Sequence, residues 1–138
     1  MNGQRKAVWP AVATWLILAA TASGAGIARE LWLRPVVGEQ AAHQIGTLAV
    51  CGLFIAVIGA FVARTKPSVA HAAVVGVAWL VAALLFEFGF GHWVDGLPWS
   101  RLLADYDLSQ GRLLLLVWLI VAVGPLAWVA LAARRTRP

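Results

Sequence analysis

Four stretches of this chain run without a charged residue: 7–28, 40–63, 67–86 and 113–133. Each holds about 20 residues, enough at about 1.5 Å of rise per residue to cross the roughly 30 Å of a bilayer's hydrocarbon. The composition agrees: 62% of the 138 residues are hydrophobic and 12% charged, against about half and about a quarter in soluble domains. The chain therefore reads as an all-α membrane protein. It is one domain, 1–138, folded as a four-transmembrane-helix bundle with spans at about 7–28, 41–63, 69–91 and 111–133.

Charge sets the expected orientation. The six acidic residues fall in two places, Glu30 and Glu39 in or beside one connection, and Glu87, Asp95, Asp105 and Asp107 in or beside another. The termini and the remaining connection carry only Arg5, Lys6, Arg64, Lys66, Arg134, Arg135 and Arg137. By the positive-inside rule both termini and the turn at 64–68 are cytoplasmic, N-in/C-in, and segments 29–40 and 92–110 face outward. The pI near 10.7 is then a matter of membrane topology and implies no nucleic-acid partner; the lipid bilayer is the first partner. Arg5-Lys6 followed by Ala20-Thr21-Ala22 has the outline of a signal peptide, but the apolar run is long for one, and the segment is expected to stay as a span. Cys51, the single cysteine, reads as a small apolar packing residue.

Local signals refine the spans. In the first, Pro10 sits in an early turn where its missing N–H costs little. Ala20, Gly24 and Ala28 repeat at the spacing that lets membrane helices approach closely. Glu30 and Arg34 form an i,i+4 pair, Pro35 disfavours helix at Arg34, and Gly38 marks a restart. In the second, His43, Thr47 and Cys51 stack into one polar stripe with Gln44 beside it. The short turn Arg64-Thr65-Lys66-Pro67 implies that spans two and three are antiparallel neighbours. The third span, with His71 near its start and Trp79 near its middle, ends in Phe86-Glu87-Phe88-Gly89-Phe90-Gly91-His92-Trp93. In the segment that follows, Ser100 can cap a short interfacial helix, Arg101–Tyr106. Asp107 and Gln110 have capping-box spacing for span four, which Gly124-Pro125 should kink. Trp9 and Trp128 mark one interface and Trp32, Trp93 and Trp99 the other.

The stretch Phe86-Glu87-Phe88-Gly89-Phe90-Gly91-His92, with Trp99, Leu102-Leu103, Asp105-Tyr106-Asp107 and Gly111-Arg112-Leu113, resembles a group of uncharacterised small four-span bacterial inner-membrane proteins. Gly26-Ile27-Ala28-Arg29-Glu30 and Ala42-His43-Gln44 resemble its first-hairpin counterpart. The resemblance covers the outward half of the molecule and implies a bacterial inner (plasma) membrane location. It carries no activity and no cofactor.

Chemistry concentrates at that end. Glu87 lies about one turn inside the end of span three, where a carboxylate is costly and normally has a partner. Arg29 and Arg112 sit at similar depth. Glu87 is read either as half of a structural Glu–Arg clasp or as a carboxylate that binds a proton or cation. Arg29 with Glu30 is an interfacial ion pair or the lining of an anion site. His43, Gln44, His92, Asp105 and Tyr106 make an outer polar cluster, and His43, Glu87 and His92 are candidate zinc ligands if folding joins them. Asp105-Tyr106-Asp107 is either a set of caps or a cation mouth. Trp15, Trp79 and Trp118, near mid-span, are packing bulk or a stacking surface for an organic cation. The chain carries no Gly-rich phosphate loop, nucleophile elbow, HExxH, CxxC or haem motif. Three functions stay open. The first is an oligomeric channel or small transporter with Glu87 as its proton- or cation-responsive group. The second is a non-catalytic subunit or assembly factor of a larger membrane complex. The third is a small membrane enzyme with a His/Glu metal site.

Overall fold

The structure, a computed structural model, describes residues 2–136, with side chains from Val8 onward. Arg137 and the side chains of Arg5 and Lys6, part of the expected charge bias, lie outside the described residues. Among those residues the chain is helix and turn, with no strand. Four helical runs are long and apolar enough to cross a membrane: Val8–Val37, Glu39–Thr65, Val69–Val94 and Leu114–Arg135.

The first run begins as α1 (Asn2–Ala28), widens into a π-turn at Arg29–Leu33 and finishes as α2 (Arg34–Val37). The break expected at Arg34 is corrected. Arg34 keeps helical angles, φ −57° and ψ −42°, and its N–H bonds the Arg29 carbonyl five residues back. That turn places Pro35 in the first turn of the next helical segment, where a missing N–H costs little. The chain bends instead at Gly38, whose φ of +85° is costly for any residue with a Cβ.

Helix α3 (Glu39–Thr65) ends on Lys66, which takes left-handed angles and returns its N–H to the Val62 carbonyl. Ser68 then opens α4 (Val69–Gly89) by accepting from the His71 N–H at 3.2 Å. A second π-turn, Phe90–Val94, carries α4 onward. Pro98 precedes the short helix α5 (Trp99–Ala104). Ser100 is therefore inside α5 and not its cap; the Pro98 carbonyl accepts the first helical N–H groups instead. The capping box expected at Asp107 also gives way. Asp107 accepts from the Ser109 N–H at 3.0 Å and from its hydroxyl, closing a 3₁₀ turn at Leu108–Gln110. Gly111 at φ +74° then stops that turn from running into α6 (Leu114–Arg135), which starts later than the sequence implied.

The packing order differs from the expected antiparallel pairing of spans two and three. Helix α6 packs against both α3 and α4, and α3 also packs against α1. The α3 and α4 backbones scarcely meet; their long side chains do, with Phe61 and Trp79 rings 5.1 Å apart. The reason is steric. At Gly76 of α4 an added Cβ would run into the Ala122 carbonyl of α6, and at Gly124 of α6 it would stand 3.0 Å from Ile58 of α3. Small residues bring each helix closer to α6 than the short turn brings α3 to α4. The core formed this way includes Phe54, Ile58, Phe61, Val62, Trp79 and Val121, all buried. The expected contact stripe on α1 is not used within the chain: Ala20 and Gly24 are exposed, and nothing lies within 4 Å of a Cβ added at Gly24.

The bundle thus has a terminal end, with the start of α1, the end of α6 and the Lys66–Ser68 turn, and a loop end, with Gly38 and the 95–113 segment.

Candidate functional site

Two tryptophans pin α1 to α4 near the middle of the bundle. Trp15 Nε1 donates to the Trp79 carbonyl at 3.3 Å, and Trp79 Nε1 donates to the Ala11 carbonyl at 3.0 Å. Each amphipathic ring thereby finds a backbone acceptor on the facing helix. Toward the loop end the two helices make little contact, and the space left is a cavity of about 260 Å³. Its apolar wall includes Trp15, Leu18, Ala22, Gly26, Val50, Phe54, Phe86 and Trp118. Its polar wall is Arg29, His43, Thr47, Glu87 and Asp105. At its closed end the core side chains Phe54 and Val121 fill the bundle.

Glu87 reaches this cavity from the last turns of α4 and is half-buried. The Glu–Arg clasp is not formed: among the described residues Glu87 has neither an ion-pair nor a hydrogen-bond partner. The arginines expected to neutralise it are engaged elsewhere. Arg29 bonds Glu30 at 3.1 Å and His43 Nδ1 at 3.2 Å. Arg112 lies 3.6 Å from both Glu39 and Asp105.

These pairs join into an alternating chain, Arg29–Glu30–Arg34–Glu39–Arg112–Asp105. It ties the end of α1 to the start of α3 and to the turn after α5. Its middle members are about half exposed, 44% for Glu30, 50% for Arg34 and 53% for Glu39, so each pair adds little stability, about 0–1 kcal/mol. Its effect is to position the two ends. Arg29 and Asp105 border this cavity and two more polar cavities beside it, of about 210 and 260 Å³. The two side chains stand where all three spaces meet.

His43 is 6% exposed and also borders two of these spaces. A guanidinium can only donate, so Nδ1 facing Arg29 accepts, and the ring proton belongs on Nε2. That Nε2 is buried with no hydrogen-bond partner. Thr47 and Cys51 continue the stripe and are likewise buried.

The rest of the expected polar cluster is divided. Gln44 donates to the Gly111 carbonyl at 3.5 Å, fastening α3 to the turn that precedes the last helix. Tyr106 accepts from Trp118 Nε1 at 2.9 Å. Burial pushes the Tyr106 phenol above its ordinary range, with a smaller push from Glu87 and Asp105. The Ser109 hydroxyl holds the Asp107 carboxyl below its ordinary range. His92 stacks on Trp99 with ring centroids 4.0 Å apart and pairs Nδ1 with the Leu97 carbonyl at 2.9 Å. It does not border the cavity, so His43, Glu87 and His92 do not converge. Among the described residues no three His, Cys, Asp or Glu side chains group to hold a metal.

An aromatic stack holds the 95–113 segment over this end. His92 lies on Trp99, Trp99 is 6.1 Å from Phe88, and Phe88 is 5.8 Å from Tyr106. Phe88, next to Glu87, thereby helps hold the segment that delivers Asp105. The reciprocal Trp15–Trp79 bonds and the inward reach of Asp105 were not read from the sequence. Neither has a local spacing signal, because both join elements distant along the chain. No family model, curated protein or solved structure matches this chain.

Proposed function

We propose that this protein is a small transporter in which Glu87 binds the transported or coupled proton or cation. The observation that carries the reading is the placement of Glu87, bordering a cavity inside the bundle with no cationic partner. Carboxylates at membrane depth are expensive, and they persist mainly where they pair or line a pathway. Arg29 and Arg112 are occupied by Glu30, Glu39 and Asp105, and Arg101 borders an adjoining polar space with Glu87 without pairing to it, which leaves the Glu87 carboxylate available to a ligand. The tightly filled core below Phe54 and Val121 supports a carrier that opens to one side at a time, in preference to an open pore through one chain.

The protein is proposed to lie in a bacterial inner membrane with both termini and the Lys66–Ser68 turn cytoplasmic, as the basic residues at the terminal end favour. The loop end, with the cavity mouth, then faces outward and α5 lies at the interface. The exposed Ala20–Gly24 face of α1 offers a surface for a second copy, or for a helix of a larger complex.

The test is ion and proton flux in proteoliposomes, wild type beside Glu87→Gln, with folding and oligomer size checked for both. The transporter reading expects flux in the wild type and its loss in the variant. Equal flux in both contradicts a role for Glu87. No flux in either, over a broad ion panel, shifts the reading to a subunit of a larger membrane complex.

A further inference from the structure

The cavity that holds Glu87 is not closed on all sides. Its α1 wall contains Ser23, which is exposed, and its α4 wall contains Phe86, 45% exposed. A side chain that borders an internal cavity and the outer surface at once marks an opening. Both residues lie on the α1–α4 seam, where the two helices make little contact. Toward the terminal end the seam is shut by the reciprocal Trp15 and Trp79 bonds. Beside the opening, Trp15 meets Phe86 edge-on with ring centroids 6.2 Å apart, and Phe86 stacks on Phe90 at 5.5 Å. The slot therefore opens sideways from helices that the transport reading places in the bilayer, and it has an aromatic rim.

The wall chemistry is graded. Val50 and Phe54, well along α3 from the loop end, line the deep part, while Glu87 and Asp105 line the part nearest the loops. Arg29, the one cation of this wall, is already committed to Glu30 and His43. The buried, unpartnered Nε2 of His43 adds a polar group to that wall with no partner inside the protein.

We propose that the α1–α4 slot is a lateral entrance by which an amphiphilic organic cation passes from the membrane to Glu87. Its charged centre lies against the Glu87 carboxylate, and its apolar body lies along Phe54, Val50 and Trp118. Trp15 and Phe86 line the slot, and aromatic rings attract a cation. A substrate partitioned into the membrane need not cross the ion-paired cap above. This rests on the transport reading of Glu87 and adds the substrate class and its route.

The test uses tetraphenylphosphonium as the probe, with the full chain in lipid nanodiscs. Binding and association rate are measured for wild type, Glu87→Gln and Ser23→Trp. The proposal expects Glu87→Gln to weaken binding by about tenfold or more, and Ser23→Trp to slow association about tenfold with the Glu87 site intact. If Ser23→Trp fails to fold, Ser23→Cys in a Cys51→Ala background is folded first and then alkylated with a bulky maleimide. Slower association after alkylation supports the entrance. Binding that depends on Glu87 but is indifferent to both blocks overturns the entrance and leaves the site standing. No probe binding, together with proton flux that depends on Glu87, overturns the organic-cation class while the transport reading survives. No probe binding and no Glu87-dependent flux removes both.

Discussion

Arg29 Nη1 donates to His43 Nδ1 across the α1–α3 contact at 3.2 Å. Because the guanidinium has no acceptor, this one bond fixes the tautomer of a histidine inside a membrane-sized bundle. Nitrogen-15 NMR of the His43 ring should show the proton on Nε2 with Nδ1 as acceptor. Arg29→Met should release the ring to a mixture of tautomers. A ring protonated on Nδ1 in the wild type would contradict the contact.

The close approach of α4 and α6 makes a steric prediction. A Cβ at Gly76 would strike the Ala122 carbonyl, whereas one at Gly24 meets open space. Gly76→Val should destabilise the bundle by about 1–3 kcal/mol or more, the usual cost of overpacking. Gly24→Val should stay within about 0.5 kcal/mol, as surface substitutions do. Unfolding in mixed micelles, both variants beside wild type, checks the contrast. Equal losses would mean that α1 packs differently.

Tyr106 is the only tyrosine, so its phenol can be titrated by absorbance without interference. Burial raises its pKa above the ordinary value. The folded state then holds this proton more tightly than the unfolded chain. Its contribution to stability is full below the ordinary tyrosine pKa of about 10 and is lost as pH rises through the folded value. Tyr106→Phe should abolish that alkaline loss. It also leaves the Trp118 N–H without its acceptor, at a cost of about 1–3 kcal/mol. A titration at or below the ordinary value would contradict the burial of the ring.

Four helices long and apolar enough to cross a membrane were legible because such helices write themselves as uncharged runs, here 7–28, 40–63, 67–86 and 113–133. The polar stripe of His43, Thr47 and Cys51 was also legible from helical spacing, and it is buried as a stripe should be. The unpaired state of Glu87 was not. Depth along the chain suggested Arg29 and Arg112, but depth does not fix the direction of a side chain. Glu30, Glu39 and Asp105 engage those arginines first, and only the fold brings Asp105 beside them. The neighbour relation of α3 and α4 failed for a related reason. Turn length limits how far apart two helix ends lie, while Gly76 and Gly124 decide which backbones touch.

The Trp15–Trp79 pair should act as a latch on the α1–α4 seam. Trp79 is buried, 4% exposed, and its ring also packs on Phe61. Trp15→Phe removes one bond to backbone and should cost about 0.5–1.5 kcal/mol. Trp79→Phe removes the other bond together with part of a buried ring, and should cost more. Matched unfolding curves that rank Trp15→Phe as the more damaging change would place the latch elsewhere.

The most direct test of the central claim, that Glu87 is an accessible and unpaired carboxylate in the cavity, is carbodiimide modification in lipid nanodiscs read by peptide mass spectrometry. A hydrophobic carbodiimide attacks carboxyls that take up a proton at membrane depth. An adduct is expected on Glu87 that forms faster than any on Glu30 or Glu39, which arginines hold, with loss of transport in proportion to the adduct. An unmodified Glu87, or a fully modified one with transport unchanged, would contradict it.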